Sequence, residues 1–125
     1  MKNLLALILL SISLVSMSPA QKKLTVKATA YTSSPRENGG STKTATGHKL
    51  TSVVGKCVAV DPKFIPLRSQ VYVHGYGMFT ALDTGGAIKG RRIDLLLPSR
   101  TMASRFGRRT LNITVYPPKT TKKKK

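Results

Sequence analysis

The chain has 125 residues, with no tryptophan, one cysteine, two histidines and only four acidic residues. Each scarcity closes something off. A lone Cys57 rules out an internal disulfide, so the fold must hold by core packing. It sits in the apolar run CVAV and reads as a core thiol, since a reactive one needs a base beside it. His48 and His74 stand far apart in glycine-rich surroundings without ligand spacing, which argues against both a metal site and a His–Cys dyad. No metal and no cofactor is expected. With aromatics at 6%, the core has to be built from Val, Leu, Ile and Ala. Nothing resembles the interleaving of aromatic and basic residues that stacks bases, so nucleic acid is not the expected partner.

Positive charge is what the chain has in excess: 22 Lys and Arg against 4 Asp and Glu, a net +18. The length suits one domain. Residues 1–20, MKNLLALILLSISLVSMSPA, read as a secretory signal: Lys2, then an apolar run from Leu4 to Val15, then small residues at Ser18 and Ala20. The run is short for a bilayer span, which leaves a retained membrane anchor as the lesser alternative. Export is therefore expected, to the periplasm or to the cell wall and exterior, with the mature chain starting near Gln21. Residues 117–125, PPKTTKKKK, read as a disordered basic tail, either merely solvated or attracted to an anionic wall or membrane surface.

Between these ends the body reads as β. KLTVKATAY, KCVAVD, QVYVHG, MFTALD, RIDLLLP and LNITVY are six short strands punctuated by Gly and Pro. Only SRTMASRFG looks helical, with Ser99 as cap, Met102, Ala103 and Phe106 facing inward, and Gly107 as stop. The reading is all-β: a small barrel with one short helix. The polar segment SSPRENGGSTKTATGHKL, which holds Glu37, is a long loop of the kind that lines sites.

The other three acids are placed suggestively. Asp61 ends a strand before Pro62, Asp83 ends another before Thr84-Gly85-Gly86, and Asp94 lies inside the next strand. Turn capping is the better account of Asp61, and for Asp83 it stands level with a functional role. It does not account for Asp94, because Asp is depleted in strands. A simple hairpin centred between Ile88 and Lys89 would set Asp83 opposite Asp94, where like charges destabilise a purely structural sheet. A carboxylic acid at the rim of a cleft is the usual general acid for breaking a glycosidic bond.

TAY (29–31), TATG (44–47), VAVDPKFIPL (58–67), VYVHGYG (71–77), ALDTGGAIKGRRIDLLL (81–97) and ASRFGRR (103–109) together resemble the 3D domain, a family named for three aspartates. The likeness runs from about Val26 to Tyr116, and the domain is read as residues 21–116. It implies a six-stranded double-psi β-barrel and a lytic transglycosylase that cleaves peptidoglycan between N-acetylmuramic acid and N-acetylglucosamine, leaving 1,6-anhydro ends. Asp94 falls at the family's catalytic acid/base, Asp83 at its partner and Asp61 at the third aspartate. Thr46, Gly85, Gly86 and Lys89 match the motif as substrate-binding or supporting positions. The implied partner is the peptidoglycan glycan strand. Two alternatives stand beside this: a non-catalytic wall-binding or wall-loosening barrel, and an inverting glycoside hydrolase with Asp83 as base. One departure from the family is Arg68-Ser69 after IPL, where Gly-Thr is usual.

Overall fold

The computed structural model describes residues 20–36 and 38–119. Apart from Ala20 and Pro117–Lys119, the leader and the lysine tail lie outside the described residues, as does Glu37. Six strands form: β1 (Lys22–Tyr31), β2 (Cys57–Ala59), β3 (Gln70–Val73), β4 (Gly77–Asp83), β5 (Arg92–Leu96) and β6 (Arg109–Tyr116), with one helix, α1 (Arg100–Phe106), before the last. They close a barrel in the order β1-β5-β2-β4-β3-β6. This is the double-psi barrel with its single short helix.

The closure is not a run of hairpins. Only β3 and β4 are both consecutive and paired, around a turn at His74–Tyr76. β1 runs parallel to β5 and antiparallel to β6, and β2 runs parallel to β4 and antiparallel to β5. The expected hairpin between β4 and β5 does not form, because β2 lies between them. The connection holding Gly85, Gly86 and Lys89 therefore crosses over another strand.

Strand alternation fills the barrel. Leu24, Val26 and Ala28 of β1 point inward with Ile93 and Leu95, Val71 and Val73, Phe79 and Ala81, Val58, Ile113 and Val115. Each fully buried Leu, Ile or Val stabilises by about 1.5–3 kcal/mol. On β2 and β5 the alternation is lost: Cys57, Val58 and Ala59 are all buried, as are Leu95, Leu96 and Leu97. Both faces are covered there, which is why CVAV and LLL are unbroken apolar runs. The outer face packs Cys57, Leu82 and Leu96 against Leu50 and Val53 from a 3-10 turn at Leu50–Ser52. Cys57 is fully buried, and that burial pushes its thiol up to about 11. It is a core residue, as read.

The helix keeps its expected ends. Ser99 Oγ accepts from the Met102 N–H at 3.2 Å, and Gly107 takes a positive φ of 59° at the stop. Phe106 enters the core, but Met102 is 49% exposed. Nearly two turns of helix resting on β1 bury only the face of Ala103 and Phe106, and Met102 is about 100° away from Ala103 on the helix.

Arg68 has a φ of +71°, the only non-glycine residue with positive φ among the described residues. This is the position where the family usually carries glycine. An L side chain in that conformation costs about 1–2 kcal/mol, and glycine gives back part of the gain through its freer unfolded chain. Arg68→Gly is expected to raise the melting temperature by a few degrees, as read by calorimetry at neutral pH. An unchanged or lowered midpoint would show that the turn carries no such strain.

Candidate functional site

A break in register creates the site. Val58 pairs with Ala81, but the next residue, Ala59, pairs with Asp83, so Leu82 is the extra residue of a β-bulge. Without the bulge Ala59 would face Leu82. With it, Asp83 comes to the same side as Leu82, on the outer face. On its other edge Ala59 pairs with Asp94. The order across three strands is thus Asp83, Ala59, Asp94, all on one face, with a methyl group in the middle. The two carboxylates flank a strand, some 10 Å apart from backbone to backbone at ordinary strand spacing. They belong to a pocket of about 180 Å³, which Tyr31, Asn38, Thr84 and Gly85 also line.

Strand β1 supplies the partners of both. Thr29 lies in register with Asp94, and its hydroxyl donates to Asp94 Oδ1 at 3.0 Å. Two residues on, the Tyr31 hydroxyl donates to Asp83 Oδ2 at 2.9 Å. Burial, then Cys57 and Asp83, push the phenol of Tyr31 far up, so it stays a donor. The rest of Asp83 is anchored by backbone: Oδ1 accepts from the N–H groups of Ala45 and Thr84, each at 2.9 Å.

Asp94 is held differently. It is half-buried, and burial raises its carboxyl above the ordinary value of 3.8. The Thr29 hydrogen bond and Arg92 act in the opposite sense, and the charge of Asp83 adds to the rise. The net is an acid that retains its proton better than a free aspartate does.

Asp61 does not line this pocket. Its Oδ2 accepts from the Gly90 N–H at 2.9 Å and its Oδ1 from the Lys63 N–H at 3.1 Å. It clasps the turn after β2 to the end of the β4–β5 connection. Those hydrogen bonds, Gly90's first, hold its carboxyl below the usual range.

The other motif positions fall around the pocket. Gly85 lines it, and a Cβ there would meet Ile88 Cγ1 at 2.9 Å, so a side chain would displace the buried Ile88. Gly86 and Lys89 are exposed further along the same connection. Thr46 stands behind Asp83: its hydroxyl donates to the Leu82 carbonyl at 2.8 Å and meets His48 Nδ1 at 2.9 Å, which sets the loop that offers the Ala45 N–H. Among the described residues no group of three His, Cys, Asp or Glu is arranged to hold a metal ion.

The family model for the 3D domain matches residues 56–116, which contain all three aspartates. The chain carries a domain of the 3D family. The strand that supplies Thr29 and Tyr31 to this 3D domain precedes the matched segment. Three Bacillus subtilis (strain 168) proteins are similar to it. "Cell wall-binding protein YocH" is 53% identical over 97 residues, 77% of this chain and 33% of its own length. "Putative cell wall shaping protein YabE" is 47% identical over 95 residues, 75% of this chain and 23% of its own. "SPbeta prophage-derived uncharacterized protein YorM" is 39% identical over 111 residues, 83% of this chain and 46% of its own. The chain thus spans less than half the length of each of these relatives. Among solved structures, MltA from E. coli is similar over 58% of this chain and 26% of its own, at 24% identity and a TM-score of 0.48.

Sequence reasoning singled out neither Thr29 nor Tyr31, although both lie in the TAY motif. Their signal is a pair of hydroxyls at i and i+2 of one strand, which places them on one face.

The clasp at Asp61 predicts a pH-dependent stability. A carboxyl depressed in the folded state stabilises the fold above its unfolded pKa, and that contribution is lost as pH falls through the folded value. Asp61→Asn, which keeps one acceptor and loses the charge, is expected to melt several degrees below the wild type at pH 7. The difference should shrink as the pH falls below 3.8, the ordinary carboxyl value. A gap that is constant across melts from pH 7 to pH 2 would contradict the clasp.

Proposed function

We propose that this protein acts on bacterial peptidoglycan: glycan strands seat in the pocket between Asp83 and Asp94, and Asp94 cuts them as the single acid/base of a lytic transglycosylase. The two halves of this reading have different support. Binding is supported by the relatives, one named for wall binding and one for wall shaping, though neither name states a reaction. It is also supported by the charge of +18, which attracts a wall rich in carboxylates and phosphates. Asn38 adds a local argument. It lines the pocket, and its Oδ1 is buried with no hydrogen-bond partner among the described residues, an acceptor suited to an N-acetyl N–H.

Cutting is supported by one observation above all: a half-buried aspartate with a raised pKa, in a pocket, beside a second carboxylate that is fixed in place. The step needs little else. Asp94 gives its proton to the glycosidic oxygen as the C1–O bond breaks and positive charge develops at the muramoyl C1. The muramoyl C6 hydroxyl then closes on C1 and yields its proton to Asp94, which regenerates the acid and leaves a 1,6-anhydro end. The nucleophile comes from the substrate, so no second carboxylate has to react. Asp83, negative and immobile, favours the developing charge and helps Asp94 keep its proton.

The anchoring of Asp83 also weighs against the inverting hydrolase. Both of its oxygens are engaged, one by Tyr31 and one by two backbone N–H groups, which leaves it poorly free to activate water. A barrel that binds glycan and loosens the wall without cutting remains the second reading, favoured by the relatives' names. Its site would be the same pocket, and its place the same, outside the cell at the wall.

Release of 1,6-anhydro muropeptides from purified sacculi, read by mass spectrometry, separates the two. Wild type is expected to release them. Asp94→Asn should lower turnover by about 10²–10⁴-fold, the usual worth of general acid–base help, while still sedimenting with sacculi. Its fold should not suffer. A carboxyl raised in the folded state helps stability only below its unfolded pKa and opposes it once ionised, so Asp94→Asn should melt no lower than wild type at pH 7. Asp83→Asn removes a charge that raises Asp94, so the fall of activity on the alkaline side should move to lower pH. If wild type binds sacculi and releases nothing, the binding-only reading is correct.

A further inference from the structure

A second concavity, of about 320 Å³, lies beside the pocket on the outside of the barrel and is lined by Lys27, Thr29, Arg92, Arg108, Arg109 and Thr110. Alternation explains its chemistry. Val26, Ala28, Ile93 and Leu95 face the core, so Lys27, Thr29, Arg92 and Asp94 share the outer face of β1 and β5. In the parallel register Lys27 is paired with Arg92, and Thr29 with Asp94. The basic pair and the pair that holds the candidate acid are therefore adjacent rungs of one ladder. Two residues along a strand is about 6.6 Å. Thr29 belongs to both, since it lines the basic concavity and donates to Asp94.

Two cations in direct register repel each other, and a sheet does not gain by such a pair. Among the described residues no carboxylate lines the concavity, and Asp94, one rung away, acts on Arg92 through its charge without forming an ion pair. Among the described residues the side chains of Lys27, Arg92 and Arg108 make no hydrogen bond or ion pair. Arg109 is different: it is spent on the carbonyls of Phe106 and Arg105 and on the Tyr76 hydroxyl, where it ends α1. Three cations thus surround a hollow with their donors unused.

We propose that this hollow is a carboxylate-binding subsite for the peptide stem of the muramoyl residue whose ring sits at Asp94. The inference rests on the glycan-binding reading and adds to it which part of the substrate is recognised. Adjacency favours a stem. It is tethered to the sugar at the cut, so its acidic groups are delivered one rung from Asp94. A free phosphate polymer of the wall has no such tether.

The test is equilibrium binding by calorimetry at low salt, with Asp94→Asn as the parent so that the ligand survives. The ligands are a muropeptide tetrasaccharide with free stem carboxylates, the same compound with those carboxylates amidated, and poly(glycerol phosphate). The parent is expected to prefer the free acid by about tenfold, the scale of two partly exposed charge pairs. Adding Lys27→Ala with Arg108→Ala should erase that preference and leave affinity for the amidated form unchanged. Adding Lys43→Ala with Lys56→Ala, an equal loss of charge at exposed sites elsewhere, should preserve it. Equal affinity of the parent for both tetrasaccharides, or equal losses in the two double variants, would overturn the subsite while leaving glycan binding intact. Loss of poly(glycerol phosphate) binding alone in Lys27→Ala/Arg108→Ala would overturn it in favour of phosphate. Failure of the parent to bind either tetrasaccharide would remove the glycan reading and the subsite together.

Discussion

One extra residue in β4 sets the chemistry of this barrel. Because Leu82 bulges, Asp83 swings to the outer face and stands across Ala59 from Asp94. Bulges recur beside active sites because they re-aim a side chain without unfolding the sheet. Here the re-aimed residue is then locked by three hydrogen bonds from three separate segments: Tyr31 of β1, Ala45 of the long loop and Thr84 of the following connection. The small side chain of Ala59 keeps the space between the carboxylates open. Change any of these and two aspartates remain on the surface, but the pocket between them does not.

The three aspartates of the motif do three jobs. Asp61 is tied by backbone N–H groups and kept ionised, which suits a clasp between two loops. Asp83 is also tied, but by groups that converge on the pocket. Asp94 has a single hydroxyl partner and is partly out of water, and burial raises its carboxyl. Desolvation outweighs the opposing pull of Thr29 and Arg92. The difference comes from position alone: Asp61 lies in a turn, Asp83 at a strand end, and Asp94 inside a strand covered on its far edge by β1.

Much of the fold was legible because strand signals are local. KLTVKATAY, QVYVHG and LNITVY carry their periods openly, and the Ser99 and Gly107 caps bracket the helix as read. Pairing was not legible from local signals. Asp83 and Asp94 are eleven positions apart around a glycine pair, which looks like a hairpin, yet β2 from earlier in the chain inserts between them. The unbroken runs CVAV and LLL held the clue, since strands buried on both faces are interior to the sheet system. The bulge left no mark in the sequence beyond ALD, and the roles of Thr29 and Tyr31 depend on the parallel register of β1 with β5. Arg68 shows the reverse case: a departure from the family's glycine that was visible in the sequence acquires its meaning from a φ of +71°.

The account turns on Asp94 holding a proton that an ordinary aspartate would lose. Site-resolved 13C NMR titration of its carboxyl carbon, in wild type and in Asp83→Asn, reads this directly and does not require substrate. The expected result is a midpoint above 3.8 in wild type that falls in Asp83→Asn, because burial and the neighbouring carboxylate both raise it. A midpoint at or below 3.8, unmoved by the loss of Asp83, would mean that the pocket does not poise Asp94 as an acid.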